Sequence, residues 1–183
     1  MRVVAGTARG RRLVSPPGTA TRPTSDRVRE AIFNALYSLG GVEGALVADL
    51  YAGTGALGIE ALSRGADRAV FVERSRPALE ALRANLAATG LADRAEVVAG
   101  DVDAWLARRP RVDIALVDPP YADSPWAEVF GRLSAELVVA ESGGEIEVPP
   151  GWRVHRVKRY GTSVVTIAVA SDPPPTEPAQ ELS

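Results

Sequence analysis

Asp118-Pro119-Pro120-Tyr121 is the stretch whose residue types most narrowly define a chemistry. Two consecutive prolines hold the backbone extended and remove two N–H donors. The Asp118 carboxylate and the Pro119 carbonyl can then act together as acceptors toward a single NH₂ group. Tyr121 adds a face on which a flat base can stack, worth about 1–3 kcal/mol per base. The exocyclic nitrogen of a base is a poor nucleophile, because its lone pair is delocalised into the ring. Acceptors on its hydrogens let it rehybridise and carry positive charge as it attacks a methyl group in line. A proline turn that merely closes a strand is the plain alternative.

A second chemical stretch covers residues 47–62, where Gly53, Gly55 and Gly58 have G-x-G-x-x-G spacing. Such a turn lets a ligand approach the backbone and offers it the free N–H groups of a helix start. Alone, this fingerprint is weak. Three acids strengthen it. Asp49 precedes the turn. Glu73 lies twenty residues after Gly53, placed to accept from both hydroxyls of a ribose. Asp101 follows Ala99-Gly100, placed to accept from an adenine amino group. Singly, each acid reads as a helix cap or a surface charge; in this order, on successive strand ends, they point to a nucleotide site. His155 is the only histidine and lies in a basic strand, so it is read as structural or RNA-facing, and no metal site is expected.

These residues need strand ends to hold them, and the chain supplies a regular alternation. Apolar runs at 45–50, 68–73, 95–100, 112–117 and 136–141 predict strands, with helices predicted at 55–64, 75–89, 102–108 and 125–134. Strands separated by helices imply right-handed βαβ units, a parallel sheet covered on both faces, and ligands beyond the carboxyl ends of its strands. Two further strands, 153–160 and Ser163–Ala170, are separated only by Gly161-Thr162 and predict a closing antiparallel hairpin. The expected fold is therefore α/β, a doubly wound, mostly parallel, seven-stranded sheet.

Before the first of these strands, residues 3–14 predict a small β-hairpin with a basic tip, and 15–23 an extended proline-rich linker. A helix capped by Thr24 or Ser25 should follow, ended by Gly40-Gly41. The division expected is 1–23 as hairpin and linker, 24–170 as the main domain, and 171–183 as a disordered, proline-rich tail.

The 183 residues suit one such domain. With no cysteine, disulfides and thiolate metal sites are excluded, and a reducing cytoplasm is expected. There is no apolar leader and no run near the roughly 20 residues of a membrane helix. Charge is uneven. Residues 1–29 hold seven arginines against one aspartate, a net +6, while the remainder holds 14 basic and 22 acidic residues, a net −8. A basic end on an acidic body suggests a nucleic-acid partner engaged by that end. A solvated arginine-rich surface is the alternative.

The residues described above resemble those of class I S-adenosylmethionine-dependent amino-methyltransferases, which have a Rossmann-like fold. Together, Arg22-Pro23-Thr24-x-Asp26-Arg27-Val28-Arg29-Glu30-x-x-Phe33-Asn34, the 49–62 block and Asp118-Pro119-Pro120-Tyr121 resemble the RsmD family of bacterial 16S rRNA guanine-N2 methyltransferases. The similarity runs from about residue 2 to residue 170. It implies S-adenosylmethionine as cofactor and S-adenosylhomocysteine as product. It further implies that Asp49, Tyr51, Gly53, Thr54, Gly55, Glu73, Asp101 and Val102 line the cofactor site. Asp118, Pro119 and Tyr121 would hold the guanine, and Arg9, Arg11, Arg12, Arg22 and Arg27 would contact RNA. The implied partner is 16S rRNA in the small ribosomal subunit or its assembly intermediate, engaged by a monomer in the cytoplasm. Tyr51 stands where the family usually has Phe, and the stretch between Tyr121 and Glu141 is short for it.

Four rivals compete with this reading. An adenine-N6 DNA methyltransferase shares the tetrapeptide, and a protein-glutamine methyltransferase would carry Asn-Pro-Pro-Tyr. An NAD-dependent dehydrogenase would leave Asp118 to Tyr121 unexplained, and a non-catalytic RNA-binding assembly factor would not need the intact acid and glycines.

Overall fold

The computed structural model describes residues 1–16, 26–120 and 125–171. The proline-rich linker after Pro16, the expected cap at Thr24 or Ser25, Arg22, Tyr121 and the tail beyond Ser171 lie outside the described residues.

Twelve elements follow in chain order: α1 (Asp26–Tyr37), β1 (Leu46–Leu50), α2 (Ala56–Ser63), β2 (Arg68–Glu73), α3 (Arg76–Thr89), β3 (Ala95–Ala99), α4 (Val102–Leu106), β4 (Ile114–Val117), α5 (Trp126–Arg132), β5 (Leu137–Ser142), β6 (Trp152–Tyr160) and β7 (Ser163–Ala170). One 3-10 turn, Ala92–Arg94, precedes β3. The seven strands form one sheet in the order β3-β2-β1-β4-β5-β7-β6. Its first five strands are parallel, and β7 pairs antiparallel with both β5 and β6. The predicted alternation and the closing hairpin are therefore both present.

Strand ends differ from expectation where side chains intervene. The strand predicted at 112–117 begins at Ile114, because Val112 donates its N–H to the Ser134 carbonyl and Asp113 Oδ2 accepts from the Leu46 N–H at 2.7 Å. Asp113 is thereby spent on closing the amino edge of the sheet. The helix predicted at 102–108 stops at Leu106.

Alternation along each buried strand sends successive residues to opposite faces. One face collects Val47, Phe71, Ile114, Leu116, Val139 and Ile167 against the N-terminal segment, α1, α2 and α3. The other collects Ala48, Val72, Ala115, Val117 and Val138 against α4 and α5. Fully buried leucine, isoleucine or phenylalanine side chains, such as Leu62, Phe71, Leu82 and Leu116, stabilise by about 1.5–3 kcal/mol each. α2 lies deepest, with every residue but Ala56 buried.

The N-terminal segment is antiparallel, as expected, with Arg2 opposite Arg12 and backbone hydrogen bonds from the Val3 N–H to the Arg11 carbonyl at 3.0 Å, from the Gly10 N–H to the Val3 carbonyl at 2.9 Å and from the Leu13 N–H to the Met1 carbonyl at 3.0 Å. Its surroundings differ from those of a freestanding basic hairpin. Val3, Ala8 and Leu13 are buried in the α1–α3 side of the core. The Thr7 N–H donates to the Ser63 carbonyl at 2.8 Å, and the Ala8 N–H donates to Ser63 Oγ at 2.9 Å. The completely buried Glu60 carboxylate accepts from the N–H groups of Val4 at 2.8 Å and Ala5 at 2.9 Å. The segment is a layer of the body, with its arginines on the outside.

Candidate active site

The carboxyl ends of β1, β2 and β4 bring three acids to one place through strand register. Asp49 lies opposite Phe71 on β2 and Leu116 on β4. Glu73 and Asp118 each sit two residues beyond those partners, so all three side chains leave the sheet on the same face. Asp49 is 2% exposed, and its Oδ2 accepts from the Gly58 N–H at 2.8 Å. Burial pushes its pKa well above the ordinary 3.8, the Gly58 hydrogen bond opposes this, and the charges of Asp118 and Glu73 add to it.

The glycine turn is built around these acids. Tyr51 holds a left-handed backbone with φ 60°, a conformation that costs a non-glycine residue about 1 kcal/mol or more. The Gly53 N–H donates to Glu73 Oε2 at 2.8 Å, while Glu73 Oε1 accepts from the Ser75 N–H at 2.7 Å. Where a Cβ would stand on Gly53, the Tyr51 carbonyl oxygen is the only atom of the described residues within 4.0 Å, so among them this side of the turn is open to a ligand. Gly58 is the opposite case: a Cβ there would run into the Phe71 ring and come within 3.0 Å of Asp49 Oδ2. Its role is to let α2 lie directly on β2.

The remaining expected residues divide. Val102 is buried at the start of α4. Asp101 is exposed at the end of β3 and pairs with Arg74 at 3.5 Å, both side chains more than half exposed. It stands one strand outside the Asp49–Glu73–Asp118 group, at the rim. Asp118 is half-buried, with its N–H 3.4 Å from the Leu50 carbonyl, and Pro119 is buried behind it. Arg9, Arg11, Arg12 and Arg27 are all exposed. Arg9 follows Ala8, which is bound at Ser63, the far end of α2. Eight helical residues, about 12 Å of axis, separate that point from the glycine turn. Arg9 therefore does not join the acid group.

Two residues that position the site escaped the sequence reading. Asn85, 1% exposed on α3, donates from Nδ2 to the Thr54 carbonyl at 3.0 Å and to the Val14 carbonyl at 3.0 Å, and its Oδ1 accepts from the Val14 N–H at 2.8 Å. It ties the glycine turn to the N-terminal segment. Glu60 does the same for the start of that segment, and it also pairs with Arg64 at 2.8 Å. The available signals were a lone amide between Leu82 and Leu86 on an apolar helix face, and a lone charge in Ala-Leu-Gly-Ile-Glu-Ala-Leu-Ser.

Two consequences are measurable. Asn85→Ala leaves backbone groups of Val14 and Thr54 without partners and should destabilise the fold by about 1–3 kcal/mol. Denaturant unfolding checks the size, and faster amide exchange at Val14 checks the cause. For Asp49, the raised folded pKa means that the ionised form opposes folding. Its stabilising contribution is complete below the ordinary 3.8 and is lost as pH rises through the folded value. Asp49→Asn keeps an acceptor for Gly58 without the charge. Its stability relative to wild type should therefore be highest at neutral pH and should decline on acidification. A relative stability that does not change between neutral and acidic pH would show that burial of the charge is not the main cause.

The sheet order, the glycine turn and the acids at the strand ends define a class I methyltransferase fold. The solved structure of yhhF from Escherichia coli matches it with a TM-score of 0.82 and 35% identity, over 93% of this chain and 97% of that one. A hypothetical protein of Thermus thermophilus matches with a TM-score of 0.79 and 32% identity, over 91% and 98%. In sequence, ribosomal RNA small subunit methyltransferase D of Escherichia coli K12 is 38% identical over 172 residues, covering 88% of this chain and 85% of that protein. Residues 1–169 match the family described as conserved hypothetical protein 95. The chain belongs to that family, the RsmD family.

Proposed function

We propose that this protein transfers a methyl group from S-adenosylmethionine to the exocyclic N2 of a guanine in 16S rRNA of the small ribosomal subunit. Methylation of small-subunit rRNA is the activity in the name of the Escherichia coli relative. The observation that carries the reading is the convergence of the Asp49, Glu73 and Asp118 carboxylates beside an open glycine turn. S-adenosylmethionine supplies an electrophilic methyl on a cationic sulfonium, and a cluster of carboxylates suits a cation. Asp49, Tyr51, Gly53, Thr54, Gly55, Glu73, Asp101 and Val102 are the residues that would hold it. Each Glu73 oxygen already accepts one backbone N–H and retains a lone pair for a ribose hydroxyl. Asp118 and the Pro119 carbonyl, with Tyr121, bind and orient the guanine amino group and stabilise the charge that builds on its nitrogen.

The exposed Arg9, Arg11, Arg12 and Arg27 provide phosphate contacts, with Arg9 as the outlying member, and Arg22 is assigned the same role from the sequence. Among the described residues no helix is long and apolar enough to cross a membrane. We read the protein as a monomer that works in the cytoplasm.

Methyl-labelled cofactor offered with purified small-subunit particles, with deproteinised 16S rRNA and, separately, with duplex DNA provides the test. Mapping the label should give N2-methylguanosine in 16S rRNA. Label on adenine N6 of DNA, or no label in RNA, would overturn the reading. The cofactor assignment has its own check in Glu73→Ala. Losing the ribose acceptor should cost about 1–3 kcal/mol, or roughly five- to a hundredfold in S-adenosylmethionine affinity. Calorimetry that finds the affinity unchanged removes Glu73 from the site.

A further inference from the structure

We propose that the edge strand β6 is a second binding surface for the phosphate backbone of the RNA substrate, distinct from the N-terminal arginines. This rests on the reading of the substrate as rRNA.

Among the described residues β6 pairs only with β7 and forms the outer edge of the sheet. Every residue from Arg153 to Arg159 is exposed, so among the described residues nothing covers either face of the strand there. Its nine residues hold three arginines, one lysine and the single histidine, with no acid, a net +4 in a chain whose total is −2. Charged side chains on an edge strand also discourage edge-to-edge pairing between molecules. Either sign of charge would serve that purpose, and an unbroken run of one sign additionally recruits a polyanion.

A register shift between Val154 and Arg156 makes His155 an extra residue on the strand. The shift changes which positions share a face. Arg153, Arg156 and Lys158 consequently lie opposite Val169, Ile167 and Val165 and share one face with Tyr160. Without the bulge, Arg153 would fall on the other side. The bulge thus assembles a row of three cations in which Arg156 and Lys158 are about 7 Å apart, a spacing that suits successive phosphates of an extended strand.

The row also points to the site. β7 runs antiparallel to β5, and β6 antiparallel to β7, so β6 runs parallel to β4. Its carboxyl end, with Lys158, Arg159 and Tyr160, therefore lies at the same edge of the sheet as Asp118. Three strand spacings, about 14 Å, separate β6 from β4. The Lys158 ammonium sits 5.3 Å from the centroid of the Tyr160 ring, which holds it at that edge. A strand of RNA with one base at Asp118 can run its neighbouring phosphates onto this row.

The test is the full chain with Arg153→Gln, Arg156→Gln and Lys158→Gln together. Binding to deproteinised 16S rRNA is measured against salt concentration, beside wild type. Each lost phosphate contact should flatten the slope of log K against log salt by roughly 0.7–0.9, so the triple variant should lose about 2 units or more. Thermal unfolding and S-adenosylmethionine affinity should stay at wild-type values, because all three side chains are exposed and remote from the glycine turn. If wild type binds RNA with a steep salt slope and the variant keeps that slope, the β6 proposal is wrong while the functional reading stands. If wild type itself shows no salt-dependent RNA binding, the functional reading fails first. A variant that loses binding only to phosphatidylserine vesicles, and not to RNA, also overturns the proposal.

Discussion

Asp118→Ala is expected to slow single-turnover methyl transfer to rRNA by about 10²–10³, the typical cost of removing one preorganised charge-stabilising group. Its carboxylate is most useful when the attacking nitrogen gains positive charge, so the loss falls on the chemical step rather than on binding. The geometry sharpens this expectation. Asp118 is half-buried at the end of β4, on the same face as Asp49, and its charge helps raise the Asp49 pKa. In the proposed reading Asp118 serves the target amino group and not the cofactor's ribose or adenine, so S-adenosylmethionine affinity should stay near the wild-type value. Asp118→Asn keeps one acceptor oxygen without the charge and should lie between alanine and wild type. A wild-type single-turnover rate for Asp118→Ala would make Asp-Pro-Pro-Tyr a structural turn and leave the chemistry unassigned.

Glu60→Ala should produce a large loss of stability, about 3–5 kcal/mol, as expected when a buried ion pair loses one partner. The substitution strands the Val4 and Ala5 N–H groups and leaves Arg64, which lies 4.9 Å from the centroid of the Phe33 ring, without its carboxylate. In a chain of this size that is on the order of 10 °C in melting temperature. Glu60→Gln retains one acceptor oxygen and should lose less. Amide exchange locates the damage: protection should drop at Val4 and Ala5 before it drops in β1 or β4. If both variants melt within about 2 °C of wild type, the buried carboxylate is not what holds the N-terminal segment in place.

The strands and helices were legible because each buried strand is a short apolar run bounded by turn residues, and the order of acids along the chain marked the strand ends. Register was not legible. That Asp49, Glu73 and Asp118 share one face follows from the pairing of Asp49 with Phe71 and Leu116, which no local pattern encodes. The role of Asp101 at the rim, outside the buried group, is a matter of exposure that spacing cannot supply. The N-terminal segment shows the largest gap between the two views. Its arginines dominate the composition and suggest a projecting basic arm, whereas Val3, Ala8 and Leu13 are what fix it to the body. Deleting residues 1–14 would strip the core as well as the charge, so a truncation cannot isolate the arginines' contribution to RNA binding. The partners that hold the segment, Glu60, Ser63 and Asn85, lie more than fifty residues further along the chain, beyond any sequence window.

That separation also sets the order in which the protein can be made. The Ala5 N–H waits for a carboxylate 55 residues downstream, and the Val14 N–H for a carboxamide 71 residues downstream. At about 5–20 residues per second, the second wait lasts roughly 4–14 s of synthesis. The contacts of Ala5 and Ala8 with Glu60 and Ser63 become possible once α2 is made, while Val14 still waits for Asn85. The first-made part of the chain can thus complete its hydrogen bonds only when α3 emerges, which is still before β3 to β7 exist.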